Sequence, residues 1–127
     1  MKHILLFAVS YLLLNASGAQ ELSTARYVGS VEGAAQTCTE AFPQKAAIYN
    51  DALYRSVKCH FSESEFQQWR NRLRTQPPHR EQYLKGYTEG KNSLSDHPAN
   101  RKRECASLES LACDPGSDPR RDPDFKK

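Results

Sequence analysis

Apolar residues recur at steps of three and four along most of this chain, and nowhere do they alternate singly for long. Val28, Val31, Ala35, Cys38 and Phe42 share one helical face, so the pattern predicts a first helix from Ser23 to about Thr39. Pro43 then suits the first turn of a new helix, where no intrahelical N–H bond is lost. That second helix should reach about Lys58, with Ala46, Tyr49, Leu53 and Val57 as its stripe and Ala52 and Ser56 beside them. Ser62 with Glu65 matches a capping box, and Phe66, Trp69 and Leu73 form the stripe of a third helix that Pro77-Pro78 ends. A fourth helix is expected from about His79 to Leu94, with Tyr83, Tyr87, Gly90 and Leu94 on one face. Pro98 can start a fifth, to about Ala112, carrying Cys105, Leu108 and Leu111 or Ala112 inward. The fold class predicted is all-α, a small bundle of four to five short helices.

The two ends read differently from this middle. Lys2, the apolar run Ile4 to Leu14 and the small residues Ser17-Gly18-Ala19 follow the grammar of a secretory signal peptide, with cleavage after Ala19. Such a run is shorter than the roughly 20 residues a bilayer span needs. From Asp114 on, three prolines, four acidic and four basic side chains surround one apolar residue, Phe125. That composition predicts a disordered charged tail over 114–127 behind a helical domain at 20–113. The expected location is the periplasm or the outside of the cell. Without Lys2 the 18 basic residues fall to 17 against 15 acidic ones, a charge of +2. So balanced a charge points away from nucleic acid, and no stable membrane anchor is expected.

Export changes the meaning of the four cysteines, Cys38, Cys59, Cys105 and Cys113. An even count in a small exported domain predicts two disulfides. A second helix about 16 residues long would hold Cys38 and Cys59 roughly 24 Å apart, and Cys105 and Cys113 lie roughly 12 Å apart along the last helix. Both spacings exceed the roughly 7 Å limit between disulfide Cα atoms. The two remaining pairings both tie the last helix to the first half. A simple up-down course favours Cys38–Cys113 with Cys59–Cys105.

Gly86 and Gly90 stand four apart in "YLKGYTEGKNSL", inside a predicted helix. Each costs a helix interior roughly 0.5–1 kcal/mol relative to alanine. The spacing places both on one side, which suits close approach of another helix. A phosphate loop would need a preceding strand and a P-loop lysine, and neither is present. A partner-binding face is the other use of this helix: Arg80, Tyr83, Lys85, Gly86, Tyr87 and Gly90 are its candidates.

Catalysis finds little footing. There is no Gly-x-Ser-x-Gly, and Ser95-Asp96-His97 reads as a helix cap before Pro98. Glu63 and Glu65 are explained by capping. His60, His79 and His97 lack zinc-type spacing, so neither a metal nor another cofactor is expected. A small metal-dependent enzyme built on these histidines is the lesser alternative. Arg70, Arg72, Arg74, His79, Arg80 and Lys85 cluster around the Pro-Pro corner, and Arg101 to Arg103 open the last helix; both read first as solvated surface.

Signal peptide, paired cysteines and the segment Gly86-Tyr87-Thr88-Glu89-Gly90 together resemble the Rap/Tai immunity proteins. That family tends to carry a cysteine just before Gly-Tyr, where this chain has Leu84 and Lys85. The resemblance implies a periplasmic protein that binds a secreted peptidoglycan-cutting effector. The expected function is therefore an exported, non-enzymatic protein-binding module, an immunity or inhibitor protein. The alternative is an envelope structural or stress protein without a fixed partner.

Overall fold

The computed structural model describes the backbone of residues 2–121, with side chains from Glu21 on. The expected leader, 1–19, falls wholly outside the residues with described side chains, and 122–127 lie outside the described residues altogether. Among the described residues every regular element is helical. They are α1 (Lys2–Ala41), a 3₁₀ turn (Pro43–Lys45), α2 (Ala46–Asn50), α3 (Ala52–Val57), α4 (Glu63–Thr75), α5 (His79–Asn92) and α6 (Pro98–Glu109). None of the described helices is long and apolar enough to cross a membrane.

Local chemistry accounts for most of these boundaries. Ser62 Oγ accepts from the Glu65 amide and Glu65 accepts from the Ser62 amide, so the capping box closes in both directions. Those bonds, the Ser62 amide foremost, hold the Glu65 carboxyl below its usual pKa. Gln76 leaves the helical region just before the Pro77-Pro78 pair, whose peptide is cis. The expected second helix is present but broken at Asp51 into α2 and α3. Ser95 Oγ accepts from the His97 amide, and His97 is the N-cap residue of α6.

The stripes converge on one core. Val28, Val31, Ala35, Cys38, Tyr49, Ala52, Leu53, Val57, Phe66, Trp69, Leu73, Tyr83, Cys105 and Leu108 are all buried. Phe61 joins them, its ring 5.0 Å from that of Trp69.

Two disulfides staple the bundle, but not in the favoured pairing. They join Cys38 to Cys105 and Cys59 to Cys113, with Cα separations of 5.7 and 5.9 Å. The up-down assumption fails here. Lys45 Nζ and the Tyr49 hydroxyl reach Glu109, and Arg55 donates to the carbonyls of Leu108 and Leu111. The last segment therefore runs parallel to α2–α3, which puts Cys105 at the Cys38 end and Cys113 at the Cys59 end. Arg55 thereby ties down the C-terminal end of α6 and the turn after it.

The expected disorder from Asp114 needs correction over 114–121. Pro119 is buried. The Arg120 guanidinium lies 4.6 Å above the Phe61 ring and donates to the His60 carbonyl. Asp118 holds the Arg120 side chain in place through two bonds, to Nε and to the terminal nitrogen. A proline with fixed φ and an arginine seated on an aromatic face recover the ordering cost that composition alone would predict unmet.

Candidate functional site

The packing of α5 on α1 decides what α5 can present. Gly29 and Gly33 of α1 carry the same four-residue spacing as Gly86 and Gly90, and the two pairs interlock. A Cβ at Gly29 would stand 2.8 Å from the Tyr87 amide nitrogen, and one at Gly33 the same distance from that of Lys91. From the other side, a Cβ at Gly86 would stand 2.7 Å from the Arg26 carbonyl carbon, and one at Gly90 2.7 Å from that of Ser30. All of these obstacles are backbone, which cannot swing aside. Arg26 meets Gly86 and Ser30 meets Gly90, so the helices run parallel with their backbones in contact. Arg26 and Glu89 pair across the rim, and the Thr37 hydroxyl donates to the Lys91 carbonyl.

This contact sorts the six residues expected to bind a partner. Tyr83, Gly86 and Gly90 are buried beneath α5, so the packing use of the glycines is the one realised and these three do not face outward. Tyr87 is half-buried, its ring 6.2 Å from that of Tyr83. Arg80 and Lys85 are exposed, with Leu84 47% exposed between them. Lys85 pairs loosely with Glu81, at 3.6 Å. Arg80 has no ion pair among the described residues.

Beside this contact lies a polar cleft that the sequence did not announce. Glu32 of α1 receives Arg70 in a two-pronged pair, Nε at 2.7 Å and the terminal nitrogen at 3.2 Å. The Tyr83 hydroxyl donates to the same carboxylate at 2.7 Å, and the Arg74 guanidinium lies 5.7 Å from the Tyr83 ring centre. Burial foremost, then the bond to Glu32, raises the Tyr83 pKa above its ordinary value. A cavity of about 400 Å³ opens on one side of this group, bordered by Tyr49, Arg74 and Tyr87. A second, of about 260 Å³, lies toward Tyr54 and Phe66. The charges at the centre answer one another, which suits holding α1, α4 and α5 in register.

The basic residues of the Pro-Pro corner are thus less free than their exposure in sequence suggests. Arg70 pairs with Glu32, Arg72 and His79 both reach Glu21, and Arg74 covers Tyr83. His60 and His79 go to separate partners: His60 Nε2 meets the Asp114 carbonyl and His79 meets Glu21. His97 stands at the N-cap position of α6, its side chain making no capping bond.

Glu32, Gly29 and Gly33 are the residues that sequence reading missed. A signal did exist: Gly29-x-x-x-Gly33 repeats the spacing already noted at Gly86-x-x-x-Gly90. No family model, curated protein or solved structure matches this chain.

Proposed function

We propose that the chain is an exported, non-enzymatic protein-binding module, acting in the periplasm as an immunity or inhibitor protein. One observation carries this reading. Helix α5 turns Arg80, Leu84 and Lys85 to solvent while its opposite face is locked to α1 through backbone contact. A half-exposed leucine between two cations, on a helix that cannot shift, binds with little ordering cost. Arginine is a frequent anchor at such surfaces, and the two cations favour an acidic partner patch.

The test uses the oxidised chain from Gln20 to Lys127 as bait on envelope and secreted fractions of its own host and close competitors. Expected is one dominant hydrolase or toxin in stoichiometric amount. Its capture should be lost with Arg80→Glu or Leu84→Glu while the thermal melt of each variant stays unchanged. A blank at concentrations that detect micromolar complexes, or capture indifferent to both variants, overturns the reading.

A further inference from the structure

The two disulfides differ in a way that bears on chemistry. Cys38 and Cys105 are both 0% exposed, sealed within the core. Cys59 is exposed and Cys113 only half-buried, so a reductant can reach that bond. Beside it stands His60. The two sulfurs and one imidazole nitrogen all lie within 4.8 Å of one another.

We propose that the Cys59–Cys113 bond, once opened by a dithiol, becomes a zinc(II) site with His60 as the third ligand. The opening step balances by thiol–disulfide exchange. One dithiol sulfur attacks a cysteine sulfur, and the second resolves the mixed disulfide. The dithiol is oxidised to its own disulfide. Two electrons and two protons end on Cys59 and Cys113 as thiols. Zinc(II) then releases those protons to solvent, leaving two thiolates and a neutral imidazole around the ion, with water in the fourth position.

The geometry already supports each ligand. With Zn–S bonds near 2.3 Å, tetrahedral binding needs the two sulfurs roughly 3.7 Å apart. Backbones whose Cα atoms lie 5.9 Å apart allow that spread without moving. The Cys59 amide donates to Cys113 Sγ at 3.2 Å, a bond that would stabilise a thiolate there. His60 Nε2 lies 2.8 Å from the Asp114 carbonyl, and a carbonyl can only accept. Nε2 therefore carries the proton, and in the neutral ring Nδ1 keeps its lone pair for a metal. An imidazole whose other nitrogen donates to a carbonyl is the usual outer support of a metal-bound histidine. Sequence spacing hid the site because its two cysteines are 54 residues apart.

The experiment takes the exported chain, Gln20 to Lys127, under anaerobic limited reduction with dithiothreitol. Alkylation and mass mapping should find Cys59 and Cys113 free while Cys38–Cys105 persists. Cobalt(II) as probe should then give an intense thiolate-to-metal charge-transfer band and tetrahedral d–d bands, both erased by zinc(II). The oxidised chain should give neither. His60→Ala should weaken cobalt and zinc binding at least tenfold. If reduction alone loosens the chain, zinc must restore its helical circular dichroism, and fail to do so with His60→Ala. Opening of Cys38–Cys105 first, absence of the charge-transfer band, His60→Ala binding as tightly as wild type, or zinc failing to restore the helix would each overturn the proposal.

Discussion

Gly86 sits so tightly against Arg26 that a Cβ there would come within 2.7 Å of the Arg26 carbonyl carbon. In an exposed helix, Gly→Ala stabilises by about 1 kcal/mol. Here the added methyl meets backbone and must push α5 away from α1, and overpacking of this kind costs about 1–3 kcal/mol. Gly86→Ala, and likewise Gly29→Ala, should therefore destabilise by about 2 kcal/mol in urea unfolding, reversing the helix-propensity sign. Gly116→Ala is the control. Its Cβ would meet only Asp114 Oδ1, at an ordinary 3.4 Å, and stability should change by less than about 0.5 kcal/mol.

The Tyr83 hydroxyl and Arg70 share the Glu32 carboxylate. Tyr83→Phe removes one neutral donor to a charged acceptor and should cost about 1–2 kcal/mol. Glu32→Ala should cost more, because it leaves Arg70 without its partner in a site that is only partly exposed. The raised pKa of Tyr83 also sets a sign at high pH. A folded state that keeps a proton the unfolded chain gives up loses stability as pH rises. Wild type should therefore weaken above pH about 10, the ordinary tyrosine value, and Tyr83→Phe should lessen that decline in urea titrations at successive pH values, the remainder coming from Tyr27 and Tyr49, whose pKa values burial also raises.

Local signals in the chain were legible and long-range ones were not. The capping box at Ser62, the Pro-Pro corner and the apolar stripes each depend on neighbours within a turn or two, so α4, α5 and α6 were foreseen nearly in full. Two glycines in α5 announced a close helix but not which one. Its partners Gly29 and Gly33 lie in α1, more than 50 residues earlier in the chain, where nothing local ties them to α5. Glu32 carries no local signal, because its partners Arg70 and Tyr83 come from two other helices. The disulfide pairing failed for the same reason, since the parallel run of α6 beside α2–α3 depends on tertiary contacts such as Arg55 with Leu108. Arg80 and Lys85 stand exposed where a partner could reach them, whereas Tyr83, Gly86 and Gly90 do not.

Unequal burial of the two disulfides predicts unequal costs of removal. Their sequence separations, 67 and 54, are close, and in the chain-entropy model each is worth about 4 kcal/mol. What differs is the site left behind. Cys38→Ala with Cys105→Ala opens space inside the core, whereas Cys59→Ala with Cys113→Ala leaves a gap at the surface. The first double variant should lose more stability in urea unfolding, by about 1 kcal/mol or more from the added cavity. Equal losses would show that the core closes over the vacated sulfurs.

Acid should release the segment that ends at Arg121 before it unfolds the bundle. Hydrogen bonding to Arg120 holds the Asp118 carboxyl below its usual pKa. A carboxyl whose pKa falls on folding favours the folded arrangement while ionised. Its contribution is complete above the ordinary aspartate value of about 3.9 and disappears as pH drops through the lower folded-state value. Arg120 then loses the partner that orients it over Phe61, and Pro119 loosens from the cavity it shares with Trp69. Trp69 is the single tryptophan, so its fluorescence reports this event directly. Emission should shift below pH about 4 while far-ultraviolet circular dichroism stays near its neutral value. Glu65 and Glu89 also have lowered pKa values, so a variant is needed to assign the shift. Asp118→Asn should show the acid-like emission already at pH 7 and no further step on acidification. If Asp118→Asn instead keeps the wild-type transition, the segment is held by Pro119 burial alone.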